Sequence, residues 1–266
     1  MTRAPASRRQ FQGIGILLVS RLSKRCHRRE TYRQEEQGEI DTAMLAFLLL
    51  SVVLVLVFRI LVVWRQIQWA RRTGKTSAWK TQPPVKTLLV LGSGGHTTEL
   101  LGQTQHLRSF YEKWYVMGHS DSTSRARLPS NVPKDRIHII PRARHVGQSY
   151  VSSLWTTLVA LLYSFTLVWR LQPDLILCNG PGTCVPLVAS ALVLRICGFR
   201  KIQVVFSESY CRVSTLSLTG RILYLWVDVF MVHWPALQVQ YPESILSHSF
   251  VVHQSADGDT SDKSRN

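Results

Sequence analysis

The chain has 266 residues, 45% of them hydrophobic, which is enough for one sizeable packed domain with extensions. Its 32 Lys and Arg residues outnumber its 16 Asp and Glu residues, so the formal net charge is +16 and an anionic partner is favoured. The basic residues are scattered and form no zinc-finger or RNA-binding motif, which disfavours nucleic acid as that partner. We therefore predict a phosphate-bearing substrate or a lipid surface.

The first 43 residues are rich in arginine and contain one short apolar patch, FQGIGILLVS. This composition is not typical of a packed element. We interpret residues 1–43 as a disordered or transit-like extension, or as an upstream reading-frame addition, and not as a domain.

Residues 44–64 form an apolar stretch whose one charge, Arg59, lies near its end. About 20 such residues are needed to cross a bilayer, and the stretch is too uniformly apolar for an amphipathic core helix. We predict a single transmembrane helix here. The basic residues that follow, Arg65, Arg71, Arg72 and Lys75, predict that the rest of the chain is cytosolic. If residues 1–43 are present, their own basic run nearly cancels this bias.

After a predicted linker at 65–85, short apolar runs alternate with helical segments from residue 86 to residue 246. This alternation predicts an α/β domain with a parallel, doubly wound, Rossmann-like sheet. Residues 148–171 are a long, nearly uncharged helical stretch between two strand patterns. We predict a crossover helix there, with a transmembrane or membrane-lying helix as the alternative. Residues 247–266 are polar, and we expect a disordered tail.

The segment LVLGSGGHTTELL at 90–102 is a strand that ends in a glycine-rich turn and opens a helix. In a parallel sheet this loop lies at the carboxyl edge, where ligands bind, and the free amides of the helix N-terminus suit a phosphate. The segment is not a P-loop, and Thr97 stands where a dinucleotide fingerprint has its third glycine. His96 directly follows the glycines and is a candidate to accept a hydroxyl proton or to contact a diphosphate.

Two further loops leave predicted strands at the same edge. CNGPGT at 178–183 opens a helix with small residues, and SESYCRVST at 207–215 carries Glu208 and Arg212. Because all three loops follow parallel strands, we expect them to form one site.

These segments, together with VDVFMVHWPAL, resemble the membrane-anchor subunit of the UDP-N-acetylglucosamine transferase of dolichol-linked oligosaccharide synthesis, the asparagine-linked glycosylation subunit fourteen family. The resemblance runs from about residue 44 to residue 242. The glycine loop is also similar to that of the bacterial lipid II N-acetylglucosaminyltransferase. The resemblance implies the acceptor half of a GT-B glycosyltransferase, which adds the second N-acetylglucosamine to dolichyl diphosphate N-acetylglucosamine.

The resemblance also implies site residues. Catalytic candidates are His96 and Glu208, and which of them is the base stays open. The implied substrate-binding residues are Gly92, Ser93, Gly94, Gly95, Thr97, Asn179, Gly180, Gly182, Thr183 and Arg212. The resemblance implies no cofactor, since the donor is held mainly by the partner subunit. No metal site is expected, because the Asp-Gly-Asp at 257–259 lies in the polar tail and GT-B enzymes do not usually need a metal.

The expected partners are a separate soluble catalytic subunit that holds UDP-N-acetylglucosamine, the dolichol-linked acceptor in the endoplasmic reticulum membrane, and the transferase of the preceding pathway step. One sheet domain is too little for a two-domain transferase, so we expect no activity without the soluble subunit. Two alternatives remain: a non-catalytic membrane adaptor with a vestigial site, and a membrane-bound nucleotide-cofactor enzyme. The polar tail departs from the short apolar C-terminus of the family, which predicts weaker docking of the partner.

Overall fold

A computed structural model describes residues 7–74, 84–119, 121–141, 150–180 and 182–247 of the chain. The chain divides into two units, residues 1–58 and residues 59–266, which are described separately below. All but one residue of the predicted polar tail, and with it the expected effect on partner docking, lies outside the described residues.

The first unit consists of the N-terminal part of helix α1, which the structure assigns to Ser7–Thr73. The stretch Gln37–Thr73 is long and apolar enough to cross a membrane: its most apolar window has a mean hydropathy of 3.0 and is only 6% buried. The predicted apolar helix at 44–64 is therefore confirmed as a candidate membrane span by length and composition. The helix already begins within the segment expected to be disordered, where Arg, Lys, Glu and Gln have high intrinsic helix propensity.

In the second unit, the C-terminal part of α1 packs onto the sheet domain. Val63, Ile67 and Ala70 are buried, and their spacing of three to four residues places them on one face of the helix. The side-chain amide of Gln68 donates to the carbonyl of Leu225 over 3.1 Å. Residues 65–73, expected to be linker, are thus a packed helical part of the domain.

In the part of the domain that the structure describes, seven strands form one sheet in which every pair of neighbouring strands is parallel. The strand order is β3-β2-β1-β4-β5-β6-β7, which confirms the predicted α/β class and the Rossmann-like, doubly wound arrangement. The strands are β1 (Val85–Val90), β2 (Tyr111–Gly118), β3 (Ile137–Ile140), β4 (Leu175–Asn179), β5 (Gln203–Ser207), β6 (Val229–Val232) and β7 (Ile245–Leu246).

Among the described residues, six further α-helices connect the strands: α2 (Gly95–Thr104), α3 (Ser122–Arg127), α4 (Tyr150–Leu171), α5 (Cys184–Ile196), α6 (Leu218–Leu223) and α7 (Pro235–Gln240). A short 3-10 helix, Lys134–Arg136, precedes β3. The larger core cluster lies between the central strands and helices α4, α5 and α6, with Leu88, Ile176, Val188 and Phe206 fully buried. The sequence pattern predicts neither α7, which is less than two helical turns long, nor the two-residue strand β7. Helix α3 likewise lies in a segment expected to be a polar loop.

Helix α4 connects β3 to β4, which agrees with the predicted crossover. Ala160 and Val168 are fully buried on its inner face. Its outer face exposes Trp155, Leu158 and Leu162. The apolar stretch is therefore a helix of the domain, with an inner face that completes the core.

Candidate functional site

The candidate site lies at the point in the sheet where the strand order reverses, between β1 and β4. Strands β1 and β4 are hydrogen-bonded neighbours, although β2 and β3 lie between them in sequence. The connection after β1 leads to one side of the sheet and the connection after β4 leads to the other. We call the space between the two loops at the carboxyl edge the crevice, because this is the usual ligand position in open α/β sheets. The two predicted glycine loops are these two loops.

The first loop turns at Gly94, whose φ of 71° is a conformation that side chains other than glycine rarely adopt. Gly92 is buried, and its carbonyl accepts hydrogen bonds from the hydroxyls of Thr97 and Ser124. Thr97 is itself fully buried, so it closes the loop from inside and does not face a ligand. Ser93 and Gly95 are exposed on the rim of the loop.

Helix α3 holds the first loop from the side. Thr123 accepts the amide hydrogen of Gly94 over 3.4 Å, and the guanidinium of Arg127 donates to the carbonyl of Gly94. Asp121 caps the helix by accepting from the Ser124 amide over 3.0 Å. This support was missed in the sequence because the whole segment between β2 and β3 reads as polar loop. The Asp-x-x-Ser spacing was the one available signal of an N-cap.

The second loop places a glycine directly beneath the histidine of the first. Gly180 has a φ of 70°, and a Cβ atom built there would lie 2.3 Å from Cε1 of His96. Any side chain would therefore displace the imidazole. Gly182 and Thr183 follow at the start of α5; Gly182 is exposed, and the Thr183 side chain makes no capping hydrogen bond.

Asn179 joins the two loops. It is fully buried at the end of β4, and its side-chain oxygen lies 2.8 Å from Nδ1 of His96. Its side-chain nitrogen donates to Glu99 over 3.0 Å, and the hydroxyl of Ser209, after β5, donates to the other oxygen of the same carboxylate over 3.0 Å. Glu99 was missed in the sequence. Its position one helical turn after His96 was the available signal.

Glu208 occupies a different environment from Glu99. Its carboxylate is fully buried and accepts from the amides of Ser209 and Ser217 over 3.0 and 2.9 Å and from the Ser217 hydroxyl over 3.0 Å. A Cβ atom on Gly220, in the first turn of α6, would lie 2.3 Å from it. The carboxylate thus fills the N-terminus of α6, and these contacts favour a structural role over the predicted catalytic one.

We expect Glu208→Ala to lower the free energy of unfolding by about 3 kcal/mol, because buried amide donors are left without an acceptor. Thermal melting of the detergent-solubilised chain measures this. The control is Glu112→Ala, which removes a partly exposed ion pair with Arg136 and should cost less than about 1 kcal/mol. A Glu208→Ala variant that melts like the wild type would contradict this structural role.

Arg212 lies in the loop after β5, and its side chain is exposed. Its backbone amide donates to the carbonyl of Ser209 over 3.0 Å. Among the contacts of the described residues, none joins Arg212 to His96 or Asn179. Its predicted substrate-binding role stays a prediction.

A buried histidine lies at the same edge and was also missed. Nε2 of His233 is 3.0 Å from the Ser207 hydroxyl and 3.3 Å from the side-chain nitrogen of Gln103. The centroids of the His233 and Tyr210 rings are 4.0 Å apart. Burial lowers the pKa of His233 below its usual value, so the imidazole is neutral near pH 7. This cluster links α2 to the ends of β5 and β6 and so supports the wall of the crevice.

Within the described residues, no group of three or more His, Cys, Asp or Glu side chains comes together in a metal-binding arrangement.

The chain is similar to known proteins over this domain. The family model described as "Oligosaccharide biosynthesis protein Alg14 like" matches residues 87–249. The human protein named UDP-N-acetylglucosamine transferase subunit ALG14 is 43% identical over 72% of this chain and 91% of its own length. The proteins of the same name from Mus musculus and Schizosaccharomyces pombe are 46% and 42% identical, over 60% and 61% of this chain and 81% and 82% of their own lengths.

Among solved structures, MurG of Acinetobacter baumannii aligns with a TM-score of 0.46 and 18% identity, over 57% of this chain and 43% of the MurG chain. The family model covers more than half of the chain, and the predicted resemblance is confirmed. The chain belongs to the Alg14-like family of oligosaccharide biosynthesis proteins, whose curated members are named as subunits of a UDP-N-acetylglucosamine transferase.

Proposed function

We propose that this chain is the membrane-anchored acceptor half of a two-component, GT-B-type UDP-N-acetylglucosamine transferase at the cytosolic face of the endoplasmic reticulum. It binds a dolichyl diphosphate N-acetylglucosamine acceptor and recruits a soluble subunit that holds UDP-N-acetylglucosamine. The soluble subunit supplies the second half of the active site, and the transferase of the preceding step is a further partner. The word "subunit" in the names of the relatives supports this division of labour.

The observation that carries the proposal is the convergence of two glycine loops on His96. The first loop brings amides of the α2 N-terminus to the crevice, and the second brings the start of α5. Unpaired amides at helix N-termini bind phosphate oxygens, and two such loops suit a diphosphate. His96 is about one-third exposed between them, so a bound acceptor hydroxyl can reach its ring.

The proposed reaction needs no cofactor bound to this chain. The acceptor hydroxyl loses its proton to His96 as its oxygen bonds to the anomeric carbon of the donor sugar. The bond from that carbon to the diphosphate breaks, and UDP leaves with the electron pair. His96 then releases the proton to solvent.

A second candidate is a non-catalytic adaptor that only recruits the soluble subunit. The hydrogen bond between His96 and Asn179, and the glycine that makes room for the imidazole, count against it, because recruitment alone requires neither. A nucleotide-cofactor enzyme is disfavoured because Thr97, in place of the third glycine, is buried and closes the loop.

The deciding experiment measures transfer from radiolabelled UDP-N-acetylglucosamine to a dolichyl diphosphate N-acetylglucosamine acceptor. Membranes carrying the full chain are assayed with and without the soluble subunit, and the soluble subunit is assayed alone. We expect product only when both are present. Equal transfer by the soluble subunit on membranes that lack this chain would contradict the proposal.

The predicted orientation has its own test. The basic residues Arg65, Arg71 and Arg72, which follow the apolar stretch, favour a cytosolic sheet domain. We expect protease added to sealed microsomes to digest that domain, while a lumenal marker protein stays intact until detergent is added. Protection of the domain in intact microsomes would reverse the topology.

A further inference from the structure

The orientation of the Asn179 side chain determines which nitrogen of His96 carries a proton. An ionised carboxylate only accepts hydrogen bonds, so the NH2 group of Asn179 faces Glu99 and its oxygen faces Nδ1 of His96. Because that oxygen also only accepts, Nδ1 must be the donor. In the neutral ring the proton is then on Nδ1, and Nε2 has a free lone pair. Among the described residues, Nε2 has no hydrogen-bond partner.

Glu99 is itself held in place. Ser209 donates to the Glu99 oxygen that does not contact Asn179, and the Glu99 side chain is only 13% exposed. Nδ1 of His96 lies 3.9 Å from the nearer carboxylate oxygen, too far for a hydrogen bond. Glu99 therefore acts on the imidazole through the amide of Asn179.

We propose that Glu99 is a positioning residue that fixes, through Asn179, the Nδ1–H tautomer of His96 and so keeps Nε2 as the base. This deepens the proposed function and rests on it for its catalytic consequence. The acceptor hydroxyl gives its proton to Nε2, while Nδ1–H stays bonded to Asn179. Glu99, on α2, is thus the carboxylate that orients the base, whereas Glu208 stabilises the fold.

Two variants distinguish the hydrogen-bond acceptor of Glu99 from its negative charge. Glu99→Leu removes the acceptor, which frees Asn179 to turn its NH2 group toward Nδ1 and favours a proton on Nε2. Glu99→Gln keeps a neutral oxygen that accepts from Asn179 and an NH2 group that donates to Ser209. Glu112→Gln, in the ion pair with Arg136, is the matched control for loss of a carboxylate.

The direct readout is the tautomer of His96, from the ring nitrogen shifts of the full chain labelled with 15N-histidine in nanodiscs. A His96→Asn sample identifies the signal by its absence. We expect the Nδ1–H form in the wild type, in Glu99→Gln and in Glu112→Gln, and a shift toward Nε2–H in Glu99→Leu. An Nε2–H wild type, or an unchanged tautomer in Glu99→Leu, would overturn the proposal.

Kinetics give the second readout. We expect kcat to fall about 10- to 100-fold in Glu99→Leu, with the KM of the acceptor unchanged, and to recover largely in Glu99→Gln. Equal losses in the two variants would overturn the positioning role, because a neutral acceptor suffices for it. If the tautomer shifts in Glu99→Leu but transfer does not change, the positioning role stands and the proposed role of His96 as base fails.

Discussion

His96→Ala is expected to lower transfer by 10²-fold or more when the chain is assayed on membranes with the soluble subunit, because general-base catalysis contributes at least that factor. Recruitment of the soluble subunit should survive, since the His96 side chain is only about one-third exposed and contributes little to the surface of the domain. Transfer rates and co-purification from the same membranes measure the two effects.

Thr98→Ala is the matched control for this substitution. Thr98 lies two residues further along α2 and is exposed, so its loss should leave transfer within about twofold of the wild type. Near-normal turnover in His96→Ala would instead assign the histidine a purely structural place at the start of α2.

Gly180→Ala is expected to lower transfer about 10²-fold without changing any group that reacts. The new methyl would lie 2.3 Å from the His96 ring, so the imidazole must move. If His96 is the base, as proposed, its misplacement by about 1 Å costs a factor of this size. The positive φ adds strain of about 1–2 kcal/mol. Transfer rates and thermal melting separate the two effects.

Gly102→Ala is the control, because a Cβ atom added at Gly102, within α2, would meet no other atom within 4 Å. Alanine there should stabilise the helix slightly. The double variant His96→Ala/Gly180→Ala sharpens the test. Once the imidazole is gone there is nothing to displace, so Gly180→Ala should cost little further activity in that background. Full additivity of the two losses would show that Gly180 acts on something other than the His96 ring.

Several parts of the fold follow from local sequence patterns. Apolar runs such as that of β1 are buried on both faces of a parallel sheet, and their alternation with helical segments permits few other architectures. The short elements α3, α7 and β7 were not predicted: α3 lies in a polar segment, α7 is less than two helical turns long, and β7 has two residues. Residues 65–73 read as linker since their three buried side chains have a recognisable partner only in the folded domain.

Some residues of the candidate site likewise follow from local sequence patterns, and others do not. The glycines, His96 and Asn179 were predicted, because a strand that breaks into glycines before a helix shows where amides become free and where the backbone needs unusual angles. The sequence pattern did not single out Glu99, and it did not show the buried hydrogen bonds of Glu208, whose catalytic role stays a prediction. Both are carboxylates close to a predicted loop, and sequence spacing alone does not say which neighbours will donate hydrogen bonds to each of them.

The sequence by itself therefore determined the class of the domain, the apolar helix that precedes it and the two loops that carry the site, because these depend on periodicity and on backbone preferences within a few residues. Only the tertiary structure decided that β1 and β4 are neighbours, that Asn179 reaches His96, and that Glu99 and Glu208 have different surroundings. The donors to Glu208 lie near it in sequence, at Ser209 and Ser217, but their orientation depends on the folded loop. The contacts of Asn179 with His96 and Glu99 join residues 83 and 80 positions apart. Such contacts arise from the packing of the whole sheet and leave no local pattern in the chain.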